Sequence, residues 1–366
     1  MMKFSKASQY FLVILAFAVG MICAWYPYIY WNNSETEWVR EQYCLDFSCV
    51  PRKITSWREM FVLSHSAFIP SFPEGLSGWK LQIKMQNEAN QIPPVTIHEI
   101  VSKLPVRDKE FTLLCIGATA KWSAIGNAIW TGVTLLEILQ MRSIYWTTGY
   151  NEVHLIGRDG YIASLPLESL GKLWLVWKMN GHWLSAEHGF PVRIIAPSYY
   201  GTKNVKWIER IEFVSQSQHH VDIFELQGWP TDHNIRPVSF IYYPGQFSRI
   251  SRPSTEMNSL RITGIAYCGS QEVDRVLIGI NNGDQQWNGS SPSHPLTNSS
   301  WIAADIIQKG ASDVWSLWKV DVPYDWKGII QVFSKVQCVD GRATNETWEN
   351  DMGGWYGVGS TIFEIC

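Results

Sequence analysis

Apolar residues fill an unbroken run from Tyr10 to Trp31, inside a stretch from Ala7 to Asn33 that carries no charged side chain. As a helix rising ~1.5 Å per residue, the run covers about 33 Å, enough to cross a bilayer. Lys3 and Lys6 precede it and Glu35 and Glu37 follow. The positive-inside rule then puts the N-terminus in the cytoplasm and the bulk of the chain outside it. Aromatic rings at the far end (Trp25, Tyr26, Tyr28, Tyr30, Trp31) suit an interfacial belt. The pattern predicts a single-pass membrane anchor over residues 1–34, with the main domain extracytoplasmic. The competing reading is a cleaved signal peptide, for which the run is long and an Ala-x-Ala site is missing.

Residues 45–240 mix short apolar runs with helical stretches, and TGVTLLEILQM (Thr131 to Met141) repeats apolar residues at helical spacing. This predicts an α+β domain. Beyond Pro253 the texture changes to alternating strands parted by turn residues: SLRITGIAYCG, DRVLIGINNGD, SLWKVDVPYD and KGIIQVFSKVQCVDG. Asn282-Gly283 and Asp340-Gly341 are strong turn dipeptides. Residues 253–366 are accordingly expected to form an immunoglobulin-like all-β sandwich. The segment from Pro237 to Pro253, with Pro244-Gly245 inside it, reads as the linker.

With 366 residues, 46% of them hydrophobic, the chain is long enough for two such domains. A net charge of -3 lacks the broad basic field that holds phosphate backbones, which excludes a nucleic-acid partner. The 20 tryptophans are read as packing residues. Seven cysteines without a Cys-x-x-Cys pair make neither a zinc pattern nor a disulfide-rich scaffold. Cys44 with Cys49, and Cys268 with Cys338, are available to pair in an oxidising compartment. Sequons begin at Asn32, Asn288, Asn298 and Asn345, against roughly two expected by chance, and carry little weight.

The stretch from Gly181 to Ile211, GHWLSAEHGFPVRIIAPSYYGTKNVKWIERI, concentrates the chemistry. His188, Arg193 and Lys206 set three cations around Gly189, Pro191 and Gly201, where glycine permits close backbone approach and proline fixes the chain. Arginine offers a planar fork of donors, lysine a point charge and histidine a switchable donor, a combination suited to a phosphate-bearing ligand. A solvated loop with ordinary surface charges is the plain alternative. Asp159 and Tyr161 read as turn residues, and the His219-His220 pair as solvent-facing.

HGFPVR followed by Lys206-Trp207 resembles the molybdopterin-binding signature of sulfite oxidases, plant nitrate reductases and related bacterial enzymes. Other segments agree in order. FTLLCIGATAKWSAIGNAIWTGVTLLEIL (Phe111 to Leu139) is similar to the family segment that carries a single cysteine, which puts Cys115 at the metal-ligand position. FVLSHSAFIP (Phe61 to Pro70) resembles the strand ending in Asn-His, with Ser64 in place of the asparagine and His65 as the histidine. HLIGRDGYIASLPL resembles the Asp-Gly-Tyr-x-x-Ser strand, and the strand-rich C-terminal part resembles the family's dimerisation domain. The resemblance implies a molybdenum-molybdopterin cofactor held by Ser64, His65, Cys115, His188, Arg193 and Lys206. It also implies a homodimer.

The sequence departs from the family where sulfite is bound. A small anion needs fixed positive charge to offset its desolvation. The family's two arginines are replaced by Leu63 and Ala120, and its active-site tyrosine aligns with Leu226. The implied activity is two-electron oxygen-atom transfer to or from a less charged small-molecule substrate, such as a sulfoxide or N-oxide. A sulfite oxidase with a rearranged anion pocket and a non-catalytic surface module that kept the fold are the alternatives. No haem-attachment motif is visible, so electrons are expected to pass to or from an external partner such as a cytochrome or a quinone-linked membrane protein. Exported members of the family usually carry twin-arginine signals, yet the first thirty residues contain no arginine.

Overall fold

Short strands build the first half, one alternating exposed and buried positions and several buried along nearly their whole length. The computed structural model describes residues 51–366 apart from 67, 87–91, 118–123, 146–148, 216–218, 227, 230, 247, 251–258, 283–300, 324–327, 345–358 and 366. Among the described residues no helix is long and apolar enough to cross a membrane. The expected anchor lies outside them, as do Cys44, Cys49, the four sequon asparagines and Ala120.

After a single turn, α1 (Gly75–Gly78), strand β1 (Lys80–Met85) sends Leu81 and Ile83 into the core. Next come β2 (Val95–Thr96), α2 (Ile97–Lys103), β3 (Arg107–Leu114), β4 (Ile125–Thr134), α3 (Leu135–Met141), β5 (Glu152–Gly157) and β6 (Ile162–Pro166). They are followed by β7 (Trp174–Met179), β8 (His182–Trp183), β9 (Arg193–Ile195), β10 (Ile208–Val214) and α4 (Ile223–Leu226). One sheet has the order β2-β1-β10-β5-β6, with β1 and β10 parallel. The other runs β3-β4-β7-β8, with β9 pairing β7. This half is richer in β structure than the α+β expectation, because its helices are only four to seven residues long. The helix expected from Thr131 begins at Leu135. Thr131 and Val133 are β-branched and favour a pleated surface, and they continue β4 against β7. Gly132 sits at a register shift where a Cβ would come 2.0 Å from the Leu175 carbonyl oxygen, so only glycine permits that approach.

Among the described residues the second half is all strands: β11 (Val238–Tyr243), β12 (Arg249–Ile250), β13 (Ser259–Tyr267), β14 (Val273–Asn282), β15 (Ile302–Ala303), β16 (Asp305–Gln308), β17 (Ser316–Pro323), β18 (Gly328–Cys338) and β19 (Gly359–Ile365). They form sheets of order β11-β13-β17-β16 and β12-β19-β18-β14-β15. A hydroxyl of Ser334 on β18 donates to the carbonyl of Ser239 on β11 at 3.3 Å, where the two sheets meet. The Cys268–Cys338 disulfide ties the end of β13 to the end of β18 across 70 residues. The expected linker is not a bare connection. Its run VSFIYY pairs with β13 as β11, and Arg249–Ile250 pairs with β19 as β12.

A hydrophobic cluster joins the two halves. Leu114, Ile116, Ile125 and Tyr200 pack with Ile235, Val238, Phe240, Ile265, Tyr267 and Trp315. Polar bonds reinforce it: the Thr112 amide donates to Asp313 O at 2.9 Å, and the Trp315 amide donates to the Thr112 hydroxyl at 2.9 Å. The strand that leads into Cys115 is therefore fixed from the C-terminal side.

Candidate active site

Cys115 follows the last residue of β3, where its amide donates to Ala124 O at 2.9 Å. It packs against the inter-half cluster together with Phe61, Phe224 and Trp229. Burial pushes its thiol above the usual value, against a hydrogen bond with the Gly117 backbone. A neutral buried thiol is unreactive, and a thiolate at this depth needs a cation beside it.

The loop from Ser185 to Pro191 turns tightly, with a cis Phe190-Pro191 bond and Gly189 at φ +104°. A Cβ on Gly189 would come 3.1 Å from Arg193 Cβ and 3.2 Å from Lys206 Cβ, so the glycine brings the two cations together. Arg193 opens β9 and is 6% exposed. Its guanidinium donates to the carbonyls of His188 (3.0 Å) and Asn204 (3.2 Å) and lies 5.4 Å from the Trp130 ring centroid. Its buried Nε has no partner, and among the described residues no carboxylate pairs with it. Burial lowers its pKa to about 9. Lys206 donates to the Ser64 hydroxyl and to Glu187 O (2.9 Å), with its ammonium 4.6 Å from the Trp207 ring. Burial and the neighbouring Arg193 lower it to about 7. His188 is lowered to about 4, by burial first and then by Arg193 and Lys206.

His65 is exposed and meets the Tyr161 ring at 5.5 Å. The Tyr161 hydroxyl donates to Thr202 O at 2.7 Å. Its phenol is raised by burial and then by the fields of Asp222, Asp159, Glu225 and Cys115. Gly201, beside Thr202, lies against Cys115: a Cβ there would sit 3.7 Å from the cysteine Cα. The structure thus gathers His188, Arg193, Lys206 and Ser64 directly, and joins His65 to Cys115 through Tyr161. Tyr161 does belong to a turn, since the Gly160 amide bonds Gly157 O, and that turn aims the ring at the site. The aromatic residue placed directly after Asp-Gly was the available signal.

His219 corrects the solvent-facing reading. Its two ring nitrogens each lie 2.8 Å from a carboxylate oxygen, of Glu152 and of Glu225, and those acids draw the loop inward. Where the family has its anion-binding arginine and its tyrosine, Leu63 is 40% and Leu226 75% exposed.

The donor set fits a phosphate-bearing, metal-holding cofactor. A buried guanidinium without a counter-charge is costly unless an anion meets it; Arg193 is in that position beside Lys206 and His188, while Glu187 and Asp159 act on Lys206 through their fields without an ion pair among the described residues. Cys115, the free thiol among the described residues and half-buried, provides the one protein sulfur that such a metal requires. Residues 69–221 match the family described as the oxidoreductase molybdopterin binding domain. The chain is 24% identical over 339 residues to a nitrate reductase [NADPH] of Mycosarcoma maydis, covering 74% of this chain and 34% of that protein. It is 29% identical over 226 residues to the mitochondrial sulfite oxidase of Drosophila melanogaster, covering 55% of this chain and 37% of the relative. It thus spans little more than a third of either relative's length. The sulfane dehydrogenase SoxCD of Paracoccus pantotrophus shares its fold, with a TM-score of 0.65 at 16% identity over 87% of this chain and 85% of that one. Residues 69–221 thus carry an oxidoreductase molybdopterin binding domain, and the chain is similar over more than half of its length to nitrate reductases and sulfite oxidases.

Proposed function

We propose that the chain binds a molybdenum-molybdopterin cofactor and catalyses two-electron oxygen-atom transfer with an uncharged S-oxide or N-oxide, rather than sulfite, as substrate. The observation that carries the cofactor assignment is Arg193, buried without a carboxylate and with Nε unpartnered beside Lys206 and His188. When bound, the cofactor supplies a two-electron metal couple and a transferable oxygen. Cys115 is the protein ligand to the metal. Arg193 and Lys206 neutralise the phosphate, while Ser64, His65 and His188 hold the pterin by hydrogen bonds. The substrate side lacks the fixed charge that sulfite requires, because Leu63, Ala120 and Leu226 stand at the family's anion-binding positions. The aromatic residues packed near Cys115 favour an apolar guest.

Electrons arrive singly from an external carrier, a cytochrome or a quinone-linked membrane protein. The chain is anchored by residues 1–34 with its main domain extracytoplasmic, and its C-terminal sheets form an immunoglobulin-like dimerisation domain. The Cys268–Cys338 disulfide supports the oxidising location. The test is elemental and pterin analysis of protein from a cofactor-competent host, followed by oxidation of reduced viologen with dimethyl sulfoxide and trimethylamine N-oxide. Near-stoichiometric molybdenum with oxide-dependent turnover is expected. Folded protein that stays metal-free overturns the enzyme, and sulfite-dependent ferricyanide reduction overturns the substrate.

A further inference from the structure

We propose that Glu152, His219, Glu225, Asp222, Lys203 and His233 form a proton relay that runs from the protein surface to Thr202 and serves the redox site; the inference rests on the oxygen-transfer reading above. Reduction of an oxide consumes protons. A sulfoxide takes up two protons and two electrons to give a sulfide and water: the sulfur–oxygen bond breaks, sulfur is reduced, the oxygen leaves as water, and the electrons come from the one-electron carrier. The cationic side of the site is a poor source. His188 is neutral down to about pH 4, and the Lys206 ammonium is tied up by the Ser64 hydroxyl and the Glu187 carbonyl, with no described chain of groups leading from it to the surface. The acidic groups lie on the other side.

Asp222 is fixed at the start of α4, where its Oδ1 accepts the amides of Phe224 (2.9 Å) and Glu225 (3.0 Å). Its Oδ2 and Glu225 Oε1 converge on Lys203 Nζ, at 3.3 and 3.5 Å, and each lies 3.6 Å from His233 Nε2. These four side chains are at most 4% exposed. Outward, Glu225 Oε2 faces His219, whose other nitrogen faces Glu152, and the His219 side chain is 25% exposed. Inward, His233 Nδ1 lies 2.8 Å from the Thr202 hydroxyl. Thr202 also accepts from Tyr161 through its carbonyl, and its neighbour Gly201 abuts Cys115.

The charge balance leaves room for one mobile proton. His219 between two carboxylates must donate from both nitrogens, so it is an imidazolium; burial opposes this, and the bonds to Glu225 and Glu152 prevail and raise its pKa. With His219 and Lys203 positive and Glu152, Asp222 and Glu225 negative, one negative charge is uncompensated. His233 is held neutral by burial and by Lys203, against Asp222, Glu225 and Asp232. Its Nε2 is buried without a hydrogen-bond partner and points at two carboxylates, the place for the arriving proton. His154, which His219 acts on, also feels Glu152, His220 and Glu212, and its own pKa is lowered, by burial first. A buried ion cluster is not needed for stability alone, since apolar residues of like volume serve that as well. The residue at the family's tyrosine position, Leu226, points to solvent while the adjacent Glu225 turns inward.

The experiment uses the holoenzyme without substrate. Reduced methyl viologen, which releases no proton on oxidation, is mixed with the protein in weak buffer, and proton uptake is followed with an indicator dye. In Glu225→Gln, His233→Gln and His219→Gln the uptake rate should fall about 10-fold or more, with molybdenum content and melting temperature near wild type. The pH dependence of kcat should flatten with it, and His220→Gln should behave as wild type. Uptake as fast as wild type in all three variants overturns the relay. If Glu225→Gln does not fold, His219→Gln, at the partly exposed end, carries the same test. A wild-type protein without molybdenum or oxide turnover strikes the functional reading instead. The relay is then judged by imidazole NMR of the metal-free protein: coupled titration of His219 and His233, lost in Glu225→Gln, upholds it, and independent titration overturns it.

Discussion

At the scale of single residues, Cys115 separates ligand from scaffold. Cys115→Ser keeps the volume and removes the soft donor, so turnover should fall below detection while the melting temperature moves little; turnover surviving with molybdenum bound would sink the assignment. His188 sets a pH signature. Its value in the fold, about 4, lies below the ~6.5 of an unfolded histidine, so the unfolded chain takes up the proton first. Stability that is full above pH ~6.5 is lost as the pH falls toward 4, on the order of 3 kcal/mol. Denaturant melts of the metal-free protein should show this loss, and His188→Gln should remove it. Lys206, at about 7, is neutral in alkali, so sulfate, which keeps its charge, should bind about tenfold more weakly at pH 9 than at pH 6 by calorimetry. The cation cluster was legible because its three members lie within one short segment. Tyr161 and His219 were not, because what makes them inward-facing is a distant partner: Thr202 for one, Glu152 for the other.

Among the elements, α3 shows how local and long-range preferences divide a segment. Its Thr134 hydroxyl accepts from the Glu137 amide, and the Glu137 carboxylate accepts from the Thr134 amide, a reciprocal cap. Thr134→Ala should cost about 1 kcal/mol in urea melts with the fold unchanged. The helical spacing from Leu135 to Met141 was readable, and Thr134 marks the true start. The three residues before it, Thr131 to Val133, were misassigned because only the partner strand β7 reveals that they are paired. Strands β13, β14, β17 and β18 fell where the alternation put them. In contrast, β11 and β12 hid in a proline-bounded segment whose pairing depends on strands far along the chain.

For the molecule as a whole, the disulfide closes a loop of 70 residues between the two C-terminal sheets. Replacing both cysteines by alanine should lower stability by about 2–4 kcal/mol, and reductant should destabilise the wild type alone. The strand-rich texture of the last third was legible, but the surface it shares with the first part was not, since nothing in either pattern announces which apolar faces will meet. That surface decides how the chain can be cut. Thr112, three residues before the cysteine, is bonded by both Asp313 and Trp315, so an engineer who trims the chain to residues 51–240 removes the clamp on the very strand that delivers the thiol. Grafting this chemistry elsewhere means carrying that clamp along as tooling, and libraries aimed at the substrate mouth should leave residues 313–315 untouched.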